Sequence, residues 1–215
     1  MSEGVSSSSG LVRRSLLRQE RSRQTRRTLV RIAARLWSER GFDEVTVEEI
    51  CAAAGVGRTT FYLHFENKEQ LLSSLAWATA LGVTSDLEGV RGTGTFEVQL
   101  DVFIGGLVRR VGSVPKPLAE LVLRSQRVHL ARLRTEGRLG DSTRFADILS
   151  VMLVDAKGRG EVTESADAAE LGEILGALTM DALETWASSD SDAVDLAGTI
   201  RSRFAVVVDQ YRTMP

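Results

Sequence analysis

Apolar residues at Leu29, Ile32, Ala33, Leu36 and Trp37 recur at the three- and four-residue steps of one helix face. Gly41 follows Arg40 and predicts the end of that helix. Thr46 with Glu49 forms a capping box, so a second helix starts at Val47 and turns Val47, Ile50, Cys51 and Ala54 inward. Gly55-Val56-Gly57 predicts a tight break. A short third helix follows from Arg58 to Phe65, with Phe61 and Phe65 on one face. Asn67 with Gln70 opens a fourth helix through Leu71, Leu72, Leu75 and Leu81. Further helices are predicted near 95–112, 117–136, 142–156, 166–187 and 191–212, separated by glycine- or serine-containing breaks. No stretch shows the sustained two-residue alternation of a sheet. The fold class is therefore all-α.

Charge divides the chain. The segment 13–40 carries ten Arg against Glu20 and Glu39, while the whole chain balances 27 basic against 29 acidic residues. A basic end on an acidic body is the pattern of a chain that presents one end to a polyanion. Residues 1–10 are Ser/Gly-rich and predict disorder; 11–23 either extend a helix or remain mobile. The segment 1–22 is thus expected as a flexible basic arm. Its arginines reach a minor groove or flanking phosphates, or give only generic attraction to DNA.

Composition removes other functions. One Cys (Cys51) forms no intramolecular disulfide or Cys-based zinc site, and two His (His64, His129) leave little for a metal centre or a triad. No metal or cofactor is expected, and no catalytic residue. No apolar run approaches the ~18 residues of a membrane span, and the N-terminus lacks the apolar stretch of a secretory signal. A cytoplasmic protein that is not an enzyme is expected.

The informative stretch is 46–71. Helix, glycine-containing turn and short helix is the helix-turn-helix layout, whose second helix enters a DNA major groove. Arg58 at that helix's start suits bidentate bonding to a guanine edge, and Thr59 and Leu63 suit thymine methyl groups. Thr60, Tyr62, His64 and Lys68 suit phosphates, as do the backbone N–H groups of the helix capped by Thr46.

Over about residues 25–72 the chain resembles the TetR family of transcriptional regulators. The shared pattern runs through Trp37-Ser-Glu-Arg-Gly41-Phe42, Val45-Thr46-Val47-Glu48-Glu49-Ile50, Ala54-Gly55-Val56, Thr60-Phe61-Tyr62-Leu63-His64-Phe65 and Asn67-Lys68-Glu69-Gln70-Leu71. Cys51 stands where the family often has Ala, and Gly57 where many members carry Ser. The resemblance implies that Thr46, Thr60, Tyr62, His64 and Lys68 meet the DNA backbone and that Arg58, Thr59 and Leu63 read bases. It implies a helix-turn-helix domain over 23–70 and an all-helical regulatory and dimerisation domain over 71–215. It also implies a small-molecule pocket, for which Trp77, Phe103, Leu107, His129, Leu133, Met152 and Met180 are candidates. The last two helices are expected to pair in a homodimer through Leu175, Leu178, Ala182, Trp186, Ile200, Phe204, Val207 and Tyr211. The expected function is a ligand-responsive regulator, a repressor that binds a palindromic operator on double-stranded DNA and is released by an effector. The alternative is a ligand-independent DNA-binding protein, or an activator, whose body only dimerises.

Overall fold

The computed structural model describes residues 5–141, 143–190 and 194–213, with side chains from Ser15 onward except Asp141. Among these residues lie nine α-helices and two short 3₁₀ turns, so the chain is all-α. The helices are α1 (Val5–Arg40), α2 (Val47–Ala54), α3 (Arg58–Tyr62), α4 (Lys68–Glu88) and α5 (Phe96–Gly112), then α6 (Lys116–Thr135), α7 (Phe145–Gly158), α8 (Ala168–Ser188) and α9 (Leu196–Val208). None is long and apolar enough to cross a membrane. The helix starts expected at 142 and 191, and residues 1–4, lie outside the described residues.

Two compact units share the chain, Met1–Leu71 and Leu72–Pro215. In the first, α1 packs on α2 and α2 on α3. Leu29, Ala33, Leu36 and Trp37 of the predicted stripe are buried with Val45, Ile50, Cys51, Phe61 and Phe65. Residues 5–22, expected as a flexible arm, are the first turns of α1. Arg, Leu and Gln in this stretch are good helix formers, and no proline precedes Pro115.

In the second unit α8 packs on α6, α7 and α9, and α5 packs on α7 and α9. Its core includes Phe103, Leu107, Leu149, Leu153, Leu175, Ile200 and Phe204. Gly172 and Gly176 set the closeness of α7 and α8. A Cβ on Gly176 would stand 2.9 Å from the backbone nitrogen of Ala146, and one on Gly172 would stand 2.8 Å from its carbonyl oxygen.

Four of the residues expected at a dimer interface are core instead. Leu175, Ala182, Ile200 and Phe204 are each no more than 1% exposed in the single chain. Phe204 stacks on Phe103 with ring centres 6.5 Å apart. Leu178, Trp186, Val207 and Tyr211 are half-buried against the same core. Helical spacing marks an apolar face without saying which chain covers it. The large apolar side chains that α8 and α9 leave exposed are Ile174 at 40% and Val206 at 81%.

Candidate nucleic-acid interface

Thr46 and Glu49 close both ends of the capping box. Thr46 Oγ1 accepts from the Glu49 backbone N–H at 3.2 Å, and Glu49 Oε2 accepts from the Thr46 N–H at 2.8 Å. Arg40 binds the other carboxylate oxygen at 2.7 Å, which fastens the end of α1 to the start of α2. The Thr46 backbone bond and then the Arg40 and Thr46 side-chain bonds hold the Glu49 carboxyl down to about 2. At the other end of α2, Gly55 adopts φ +67, a left-handed conformation that admits glycine without strain. The Val56 N–H then bonds the Cys51 carbonyl at 3.0 Å.

α3 leaves that turn at Arg58. It is shorter than the predicted eight residues: the helix proper ends at Tyr62, and Leu63, His64 and Phe65 continue as a turn whose N–H groups bond the carbonyls of Thr59 and Phe61. Phe61 and Phe65 are buried, with ring centres 5.7 Å apart, and they fix the helix to the head. The opposite side carries Arg58 and Thr59, both exposed, with Tyr62 at 49% and Leu63 at 78%. Thr60, His64 and Lys68 are half-buried beside this surface. Burial and then the Arg26 charge push the His64 imidazole below its ordinary value. Gly57 precedes α3 and gives it no side-chain cap.

Two residues do more than their sequence positions suggest. The Lys68 ammonium turns into the head, donating to the carbonyls of Phe42 at 2.7 Å and Val45 at 3.1 Å, and lies 4.2 Å from the centre of the Phe42 ring. Two of its three donors are thereby used within the head. Arg58 is held by Glu48, Nη1 to Oε1 at 2.6 Å, with both side chains more than half exposed. Bonding to the Tyr62 hydroxyl, then the Glu48 charge, pushes the Arg58 guanidinium above its usual range. For Glu48 the sequence pattern suggests only a solvated side chain; the Arg58 contact crosses a helix boundary and leaves no periodic signal.

Residues 29–75 match the pattern of the bacterial regulatory proteins of the tetR family. The resemblance to the TetR family thus rests on this stretch, about a fifth of the chain. The chain is 43% identical over 56 residues to the Tn10 TetC protein of Escherichia coli, covering 26% of this chain and 28% of that protein. It is 42% identical over 55 residues to the transcriptional regulator TcmR of Streptomyces glaucescens, covering 26% and 24%. The match thus spans about a quarter of each relative's length. The whole TetR-like fold is shared with the FadR repressor of Thermus thermophilus, solved with lauroyl-CoA: 22% identity, 88% of this chain, 97% of that one, TM-score 0.63. A second FadR, from Bacillus halodurans, gives 20% identity, 85% and 93% coverage, and TM-score 0.59.

In the second unit, most of the residues suggested for a ligand pocket are buried. Phe103, Leu107, Leu133 and Met152 are buried, and Trp77 and His129 are half-buried and do not line the cleft described next. Met180 does line that cleft, which has a volume of about 180 Å³. Its walls come from α4 (Ala76, Ala80), α6 (Gln126, Leu130, Arg134), α7 (Phe145, Ala146) and α8 (Glu173, Gly176, Ala177). Arg144 crosses one side, bonded to Asp147 at 2.6 Å and Glu173 at 2.7 Å. Gln126 is 6% exposed, and its Oε1 has no hydrogen-bond partner.

Proposed function

We propose that the protein is a ligand-responsive transcriptional regulator that binds a palindromic DNA operator as a homodimer and, acting as a repressor, leaves it when an effector binds. The observation that carries this reading is the exposed face of α3, where Arg58, Thr59, Tyr62 and Leu63 stand clear of the head while Phe61 and Phe65 anchor it. Arg58 meets a guanine edge and Leu63 and Thr59 meet thymine methyls. Thr46, Thr60, Tyr62 and His64 position the helix on phosphates, with the remaining donor of Lys68. Two such heads on half-sites ~34 Å apart, or a multiple of that, multiply the affinity that one short helix supplies. The face for pairing is the outer side of α8 and α9, with Ile174 and Val206 exposed on it.

The cleft supports a small effector. A dry ~150 Å³ cavity takes a benzene-sized molecule, so a site of about 180 Å³ suits a compact, mostly apolar ligand carrying a hydrogen-bond donor for Gln126. α4 supplies the lever. It is one uninterrupted helix whose first residue, Lys68, is bonded to Phe42 and Val45, and whose Ala76 and Ala80 line the cleft. A ligand that favours one position of α4 by about 1–3 kcal/mol changes operator affinity roughly 5- to 150-fold.

Fluorescence anisotropy with labelled duplex tests the reading. Binding should fall steeply with salt and differ between sequences at fixed salt. Equal binding to every duplex at all salt concentrations would remove the operator from the account.

A further inference from the structure

Arg58 is the one residue of the α3 surface whose side chain already has an anionic partner in the free protein. Glu48 sits in the first turn of α2 and its carboxylate lies 2.6 Å from Arg58 Nη1. Both side chains are more than half exposed, so the pair lies in the surface that would meet DNA. Its strength in water is slight, since exposed ion pairs are screened. Its consequence near DNA is larger. A negative charge against the guanidinium cancels most of the attraction that a distant phosphate would feel.

We propose that Glu48 is a specificity-determining residue of the DNA-binding surface, acting by keeping Arg58 off the phosphates. This rests on the reading of α3 as the base-reading helix. A guanidinium has five N–H donors in a fixed plane. With Nη1 committed to Glu48, the remaining donors still match the O6 and N7 pair of a guanine, which accepts two parallel bonds. A phosphate can also take two parallel bonds from the fork, but its attraction rests on the net positive charge that the carboxylate cancels, whereas the guanine edge is neutral. Glu48 therefore weakens binding to arbitrary sequence more than binding to a site with guanine opposite Arg58. The same contact pre-orients the fork, since Glu48 holds one end of the guanidinium.

The test compares wild type, Glu48→Gln, Arg58→Ala and the double variant. Each binds two duplexes of equal length, one enriched from a random pool by the wild type and one of scrambled sequence, over a salt series. Glu48 is exposed and Gln keeps its size, so thermal melts should coincide. Glu48→Gln should tighten scrambled-duplex binding roughly three- to tenfold at low salt and steepen its salt slope by up to about one unit per protomer. The preference for the enriched duplex should fall by a similar factor. In the Arg58→Ala background the same change should have little effect. An unchanged preference ratio overturns the proposal, as does a gain that persists without Arg58, which would mean plain repulsion by Glu48. A wild type that enriches no sequence would instead overturn the reading on which the proposal rests.

Discussion

The Lys68 ammonium donates to the Phe42 carbonyl at 2.7 Å and lies 4.2 Å from the centre of the same residue's ring. A residue that reads from sequence as a phosphate contact is thus also a clamp that holds the loop between α1 and α2 to the start of α4. Lys68→Ala should destabilise the protein by about 1–2 kcal/mol, because two charge-assisted bonds are lost from a partly solvated site. Thermal melting measures this without DNA. If Lys68 also touches phosphate, the salt slope flattens by about one unit per protomer. A full loss of stability with an unchanged slope assigns Lys68 to the clamp alone. An unchanged melting temperature would remove the clamp.

Arg58→Ala should relax base preference at one position of each half-site, lowering discrimination there roughly 5- to 150-fold. Competition binding with single-base variants measures it. A uniform loss on all sequences would show that Arg58 touches only phosphate.

The capping box gives the head a defined pH response. The folded carboxyl of Glu49 is held down to about 2, below its ordinary 4.5. Its stabilising contribution is therefore complete above the ordinary value and is lost as pH falls from there towards 2. Glu49→Gln should melt below wild type at pH 7, and the gap should close over that acid range. A gap independent of pH would mean that the charge is irrelevant. Thr46→Ala removes the other half of the box and should cost about 1 kcal/mol at neutral pH.

Pairing of two chains is tested on exposed residues rather than core ones. Phe204 is 1% exposed against Phe103, so Phe204→Ala should destabilise the body by roughly 3–5 kcal/mol. Val206 is 81% exposed, so Val206→Asp should leave the fold intact and weaken association in sedimentation. A folded Val206→Asp, Ile174→Asp double variant with undiminished self-association would move the interface elsewhere.

What the sequence disclosed is what local chemistry decides. Thr46, Glu49 and Gly55 announce their roles because caps and left-handed turns involve residues three or four apart. Asn67 and Gln70 do the same for α4, where the Asn67 side chain accepts from the Gln70 N–H at 2.8 Å. Gly172 and Gly176 mark a close helix approach that α7 occupies. The contacts that escaped prediction cross the chain. Lys68 meets a carbonyl 26 residues away, and Glu48 meets Arg58 across a turn. Burial escaped for a related reason: Phe103, Leu107 and Phe204 have the same apolar signature whether they line a cleft, face a partner or fill a core. Only tertiary packing decides, and it places all three in the core.

Symmetric DNA recognition is measured by selecting bound duplexes from a random-sequence pool and determining the stoichiometry of the bound complex. Enrichment of a two-fold symmetric site is expected, with a guanine at the same place in each half and two chains per duplex. Recovery of unenriched sequence, or of a single asymmetric site bound by one chain, would contradict it.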